Sequence, residues 1–509
     1  MTEHVVIIGA GIGGLACAMR LSAAGLAVTV LERHGHVGGK MRTVRSEAGP
    51  IDAGPTVFTM RPIFEQLFAD TGARLTDHIT LRKAEVIARH WWADGTTLDL
   101  VPDREASARN IRDFAGAKAE REWRAFAQQA ALLFETFDAP MMKSAAPSAL
   151  KIAAQVAATP SVIMAMAPWA TLSGRLGRQF SDPRLAQLYG RYATYVGGSP
   201  LASPALLALV AEAEARGVWS VDGGMHRLAE AMADRAHARG AQIKLRTHVK
   251  RIEQQDGRVV AVHTADGRIA ADRVVFNGDP RALTLGLLGK FLTKAVERNG
   301  VEPRSLSARV AAFAARAQGP RAAELAHHNV FFGQHPRAEF EALARGEMPT
   351  DPTIYVCAQD RSGGGVPDGQ ERFEIILNAA PSDAETPAKN EAQTCQMLLK
   401  QILERFGLRF DPIPAPRNVT LPSGFNALFP ATAGSLYGRS PHGMMAAFAR
   451  PLARTRIPGL YLVGGGTHPG AGIPMAALSG QHGAAAILQD RASTSRSRQM
   501  AMHGGTSTA

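Results

Sequence analysis

Apolar positions recur along this chain with several periods, and the places where the period changes divide it into elements. Val5-Val-Ile-Ile8 and Val28-Thr-Val-Leu31 are short apolar runs of the kind a parallel sheet buries on both faces. Between them Gly9-Ala-Gly11-Ile-Gly13-Gly14 leads into a helical stretch, so the opening reads strand, glycine turn, helix, strand. Residues 86–101 alternate around Asp94-Gly95, which predicts a hairpin. Residues 105–215 are rich in Ala, Leu and Met, broken by prolines, and predict helices. Near Gly217 the composition returns to an α/β character. A helix is predicted over Leu228–Arg239, followed by strand-like runs Lys244–Glu253, Arg258–Thr264 and Arg268–Phe276. Asp256-Gly257 and Asp266-Gly267 separate these runs with hairpin chemistry, predicting a β-meander. Residues 286–454 are mixed, with an alternating strand at Phe373–Leu377 and a helix at Glu391–Phe406. A last strand, Gly459–Val463, feeds a turn rich in glycine. Ile473-Pro474 then opens a small-residue helix, Met475–Leu488. From Arg491 the Ser, Thr, Gly and Arg content predicts a disordered tail, residues 491–509.

The opening unit has the residue types that binding a dinucleotide needs. Gly9 allows the tight turn off the strand, Gly11 lets a pyrophosphate approach the backbone, and Gly14 lets the helix pack on the sheet. The helix N-terminus offers unpaired N–H groups and the positive end of its dipole. Glu32 closes the second strand, where a carboxylate can accept hydrogen bonds from a ribose diol. Two further glycine turns follow, Arg33-His-Gly-His-Val-Gly38-Gly39-Lys40 and Gly54-Pro55-Thr56, enough to border a second stretch of cofactor. The turn after Val463 repeats the opening logic at the far end of the chain. The simplest α/β fold brings both ends to one cofactor. It predicts a discontinuous cofactor domain of residues 1–70, 215–285 and 455–490, with 71–214 and 286–454 as a substrate domain.

Composition narrows the partners. The chain has 509 residues, too many for one ordinary domain. Cys17, Cys357 and Cys395 show no CxxC spacing, which argues against a disulfide framework or zinc site, so no metal is expected and a cytoplasmic setting fits. The net charge of +12 is scattered and not interleaved with aromatics, so no nucleic-acid module is read from it. An anionic membrane surface is the better partner for that charge, the alternative being a GC-rich coding bias. No apolar run is long enough to span a bilayer. Ser148–Ser173 is unusually apolar and broken by Pro160 and Pro168. It suits an interfacial element, the wall of an apolar tunnel, or an ordinary core helix.

With these features in order, the chain resembles the bacterial phytoene-desaturase-type family of carotenoid FAD oxidoreductases over nearly its whole length. Leu460-Tyr-Leu-Val-Gly-Gly-Gly-Thr-His468-Pro-Gly-Ala-Gly-Ile-Pro474 is similar to that family's signature, and His327–Phe332 and Arg304–Ser307 also look like family segments. Within the family, Phe137–Met142, Tyr192–Pro200 and Gly217–His226 resemble most the branch that desaturates hydroxylated acyclic carotenoids at carbons 3 and 4.

The resemblance implies an FAD-linked, Rossmann-type (GR2-like) α/β fold with a β-meander, and a mixed α+β and helical substrate domain. It implies that Gly9, Gly11, Gly14, Glu32, Arg33, Gly38, Gly39 and Lys40 hold the ADP half of FAD. Val249 would contact the adenine by backbone. Gly54, Pro55 and Thr56 would border the cofactor, with Gly465 and the helix start Ile473-Pro474-Met475 at its flavin end. The implied substrate is an acyclic carotenoid held in an apolar tunnel, and the implied location is the cytoplasmic face of the inner membrane, peripherally bound. No second redox motif identifies the electron acceptor. Asp138 and His468 are the titratable groups nearest family positions, the latter equally readable as a structural hydrogen-bonding histidine. No acid–base dyad is visible, so no catalytic residue is assigned, and the polyene itself can assist proton loss by delocalisation. A phytoene desaturase, an amine oxidase of the same fold and a non-catalytic carotenoid-binding flavoprotein remain as alternatives.

Overall fold

Five parallel strands from four distant stretches of chain build the central sheet. Their order is Leu460–Leu462, Arg273–Phe276, His4–Ile8, Ala27–Leu31 and Gln242–Lys244 in the computed structural model, which describes residues 3–503. The strands are apolar throughout because both faces are covered. Val5, Ile7, Val28, Val30 and Val275 point to one side, against the helices Ile12–Ala23, His226–Ala238 and Ile473–His503. Their neighbours Val6, Leu31, Val274 and Phe276 point to the other side, against Ile252, Val259 and Val262 of the meander. The two-residue period of a strand thus feeds two separate cores.

The first and last helices meet backbone to backbone. A Cβ at Gly480 would lie 2.2 Å from the Gly13 carbonyl oxygen, and one at Gly483 would lie 2.4 Å from Val463. Small residues in the last helix are therefore a condition for closing the two ends of the chain on each other.

The meander differs from the sequence expectation at both ends. Arg251–Gln255, Arg258–His263 and Arg268–Ala270 form a three-stranded antiparallel sheet. The run beginning at Lys244 is split, because Gln242–Lys244 pairs with Thr29–Leu31 and Arg246 takes a left-handed conformation (φ 54°). The run Arg268–Phe276 is split at Asp272, whose carboxylate and N–H bond His4 and pass the chain into the parallel sheet beside Val5–Ile8.

The second layer is an eight-stranded sheet. Its longest strands, Ser307–Gln318 and Glu371–Ala379, run antiparallel, and the hairpin Ala88–Trp91 with Thr97–Leu100 lies at one edge. The alternating run Phe373–Leu377 falls inside it. Helices cover the region predicted helical: Arg104–Phe137, with a break at Gly116 (φ 88°), then shorter pieces from Ala149–Ala157 to Leu209–Ala215. The tail is a further difference. The terminal helix runs to His503, through the stretch from Arg491 predicted to be disordered, and residues 504–509 lie outside the described residues. No proline or glycine occurs between Arg491 and His503, and Ala, Arg, Gln and Met propagate a helix already nucleated by packing.

Candidate active site

A single cavity of about 870 Å³ runs between the parallel sheet and the eight-stranded sheet. Gly9, Gly11, Glu32 and Arg33 lie on its wall at the C-terminal ends of the first two strands. The second turn adds Gly38, Gly39 and Lys40, the third adds Gly54, Pro55 and Thr56, and Val249 stands beside them. From the far end of the chain come Gly465, Ile473, Pro474 and Met475. Gly14 is the exception: it is off the wall. A Cβ there would sit 2.2 Å from the Gly9 carbonyl oxygen, so its part is helix packing rather than ligand contact.

The turns form a cradle suited to an anionic dinucleotide. Gly11 caps the helix Ile12–Ala23 without any side-chain hydrogen bond and with no acid in the first turn, leaving its N–H groups for a ligand. Gly11 and Gly39 face each other, a Cβ on Gly39 falling 3.1 Å from Gly11 Cα. Either side chain would fill the groove. Glu32, 4% exposed, is held by hydrogen bonds from the Ala10 and His34 N–H groups, both 2.8 Å, which leaves further lone pairs for a diol.

Two of the wall's cations, Lys40 and Arg450, are held by backbone carbonyls, with no carboxylate at ion-pair distance among the described residues. Lys40 donates to the Leu436 carbonyl oxygen at 2.6 Å, and burial pushes its ammonium down to about 8. Arg450 donates to the carbonyls of Gly465, Tyr437 and Arg439, and burial pushes it down to about 10. Buried cations without counter-ions are costly unless a ligand supplies the negative charge. A diphosphate does so, and FAD fits the residues present.

The remaining wall is of another kind. Phe134, Phe137 and Met141 from the long helix and its end join Leu206, Leu207 and Val210 to make an apolar limb. The two acids and the histidine of interest behave differently from one another. Asp138 pairs with Lys143 Nζ at 2.6 Å and is not on the wall, although its neighbours Phe137 and Met141 are. His468 is also off the wall. Its Nε2 bonds the Ser144 carbonyl at 2.8 Å, its ring stacks on His482, and burial lowers its pKa, the features of a structural histidine. Glu374, on the wall and wholly buried, was hidden in sequence within the alternating strand Phe373–Leu377.

Two more residues without a sequence-level assignment shape the site. The Asn277 side-chain amide donates to the carbonyl oxygens of Gly9 and Gly11 and holds the opening turn. Asp279, on the wall, forms a buried pair with Arg304 at 2.5 Å. His327, His328 and Cys357 also come together, but burial holds the Cys357 thiol protonated, and His328 Nδ1 is bonded to the Tyr355 hydroxyl.

The glycine cradle, the fixed acid and the uncompensated cations define a dinucleotide-dependent oxidoreductase, and the chain belongs to the flavin-containing amine oxidoreductase family, which it matches over residues 12–488. Its cofactor is FAD. It is 53% identical over 499 residues to hydroxyneurosporene desaturase of Cereibacter sphaeroides, covering 97% of this chain and 99% of that protein. It is 46% identical over 493 residues to the hydroxyneurosporene desaturase of Rhodobacter capsulatus, covering 97% and 99%. Among solved structures, an oxidoreductase from Methanosarcina mazei is similar at a TM-score of 0.60 and 16% identity, covering 94% of this chain and 99% of that one, which speaks to fold alone.

Proposed function

We propose that this protein is an FAD-dependent desaturase that introduces the 3,4 double bond into acyclic 1-hydroxy or 1-methoxy carotenoids such as 1-hydroxyneurosporene. The observation that carries this reading is one cavity with two unlike halves. A glycine-lined, cationic cradle opens directly into a limb of Phe, Leu, Val and Met. A long hydrocarbon with almost no polar handles is positioned by such a limb and by little else.

FAD supplies the two-electron acceptor for a dehydrogenation. The protein's own part is to hold the substrate end beside the cofactor and to keep water out. Asp138 is engaged by Lys143 outside the wall, which supports a reaction without a dedicated acid–base pair. In this reading residues 1–70, 215–285 and 455–490 are the cofactor domain and 71–214 with 286–454 the substrate domain. The residues from Gly9 to Lys40 hold the ADP half, and Gly465 with Ile473-Pro474-Met475 the flavin end. Incubating purified protein and FAD with 1-hydroxyneurosporene should give a product two hydrogens lighter with one more conjugated double bond. Turnover of phytoene instead would favour a phytoene desaturase.

A lipid-soluble substrate must be collected from a membrane, and we place the protein peripherally on the cytoplasmic face of the inner membrane. No single helix among the described residues is long and apolar enough to cross one. The helices Ala149–Ala157 and Pro160–Met166 meet at 112° and leave Leu150 and Met164 at 85% and 60% exposed, with Trp169 in the turn that follows at 64%. Their inner faces, through Ile152, Val156 and Val162, pack in the same core as Phe137 and Leu206 of the apolar limb. Co-sedimentation with vesicles containing anionic lipid should fall by more than half in Leu150→Ser/Met164→Ser/Trp169→Ser. Protein that stays in the supernatant with every lipid contradicts the placement.

A further inference from the structure

Among the described residues of the cavity wall, Glu374 stands out as a wholly buried carboxyl without a hydrogen-bond partner. It lies mid-strand in Glu371–Ala379, flanked in register by Ala312 and Cys357, and is 0% exposed. Neither of its carboxyl oxygens has a hydrogen-bond partner. Other buried acids are answered: Glu214 by Tyr195 and Tyr192, Asp52 by the N–H groups of Met225 and His226, Glu339 by Thr353 and Asn378, Glu371 by Arg361. An unanswered buried carboxyl costs stability on the order of 1–3 kcal/mol. Such a group is expected where a ligand completes it.

We propose that Glu374 is a specificity-determining residue, whose carboxyl hydrogen-bonds the oxygen on carbon 1 of the carotenoid end threaded toward the flavin. This rests on the desaturase reading above. Its position fits. The Tyr355 hydroxyl, on the neighbouring strand, bonds Thr56 of the Gly54–Thr56 turn at 2.7 Å. Glu374 therefore shares a wall with the turn that borders the cofactor. Carbon 1 is two bonds from carbon 3, so a group holding its oxygen must stand within a few ångströms of the reacting bond. A polar group that holds the carbon-1 oxygen fixes which end of the carotenoid enters and how far.

The protonation state is the useful one. Burial, reinforced by the Asp52 carboxylate and opposed by Arg42, holds the Glu374 carboxyl well above the usual carboxylate range, which favours its neutral form with one O–H. A neutral acid can donate to a hydroxyl and accept from it, and can donate to a methyl ether. A hydrocarbon end offers neither partner and leaves the acid unanswered. Sites built to bond a hydroxyl discriminate against analogues lacking it far more strongly than apolar pockets discriminate by size.

The test uses the FAD-loaded full chain with Glu374→Gln and Glu374→Leu, and compares 1-hydroxyneurosporene with neurosporene, which lacks the hydroxyl. Affinity is read from the shift of the carotenoid spectrum, and turnover separately. Wild-type protein should favour the hydroxylated substrate by roughly ten-thousandfold in kcat/KM, with affinity moving in the same direction. Glu374→Leu should abolish that preference, by losing the hydroxylated substrate and not neurosporene. Glu374→Gln, which keeps a donor and an acceptor, should retain most of it. Flavin content and visible spectrum should match wild type in both, and the Leu variant should melt no lower, since it removes an unpaired acid. Equal losses on both substrates in Glu374→Leu, or loss of flavin, would overturn the proposal, the latter assigning Glu374 to the cofactor. Tight hydroxyl-dependent binding without turnover would sink the desaturase reading while leaving Glu374 as the reader of the hydroxyl.

Discussion

Gly11→Ala should yield a folded protein that has lost its flavin, whereas Gly14→Ala should damage the fold itself. At Gly11 the backbone (φ −72°) suits any residue, and the tightest contact of an added Cβ is the Asn277 side-chain amide at 3.0 Å, which need give only slightly and can keep its bonds to the turn. The new methyl would, however, stand in the groove in front of the helix N-terminus where a diphosphate must come against the backbone. A hundredfold loss of FAD affinity, about 2.7 kcal/mol, is expected with little change in melting temperature. At Gly14 the Cβ would lie 2.2 Å from the Gly9 carbonyl oxygen, which is backbone and cannot yield cheaply. Forcing the helix off the sheet costs about 1–3 kcal/mol or more. Flavin-to-protein ratio and thermal midpoint, measured together, separate the two. Gly11→Ala with wild-type flavin affinity would contradict this account of the cradle.

The second large effect is expected at Arg304. Its guanidinium pairs with Asp279 at 2.5 Å, donates to the Thr432 and Val301 carbonyls, and is almost wholly buried, as is Asp279. It ties the end of the strand Arg273–Phe276 to the chain at Val301 and at Thr432. Arg304→Ala leaves a buried carboxylate without its partner, and such losses cost about 3–5 kcal/mol. Much of that is the stranded charge, so Arg304→Ala/Asp279→Asn should recover part of the lost stability in denaturant titration. Asp279 also accepts from the Arg281 N–H, which Asn can still do. A double variant no more stable than Arg304→Ala would place the cost in the lost arginine contacts alone.

The legible parts of this protein were those where local chemistry dictates residue type. A turn that must admit a phosphate needs glycine, and a strand covered on both faces needs an apolar run, so both ends of the site could be read from the chain. What was missed depends on contacts between distant segments. Asp279 and Arg304 look like ordinary surface charges until the fold pairs and buries them. Glu374 sits in the alternating run Phe373–Leu377, where alternation signals one wet face. Here the polar face of that strand closes a cavity instead. The run Arg268–Phe276 is apolar throughout except for Asp272 and its arginines, so nothing local told that it serves two sheets. Gly14 was legible from the motif as the glycine of helix packing, and only the resemblance grouped it with the residues that hold the ADP half.

The central claim is that one FAD, gripped by the two ends of the chain, is fed by an apolar limb with a hydroxylated carotenoid. An anaerobic titration of the purified yellow protein tests it most directly. Adding 1-hydroxyneurosporene should bleach the flavin one-for-one and release an equal amount of product with a longer conjugated system. Flavin that keeps its colour while the carotenoid binds unchanged would contradict the account and leave a carotenoid-binding flavoprotein.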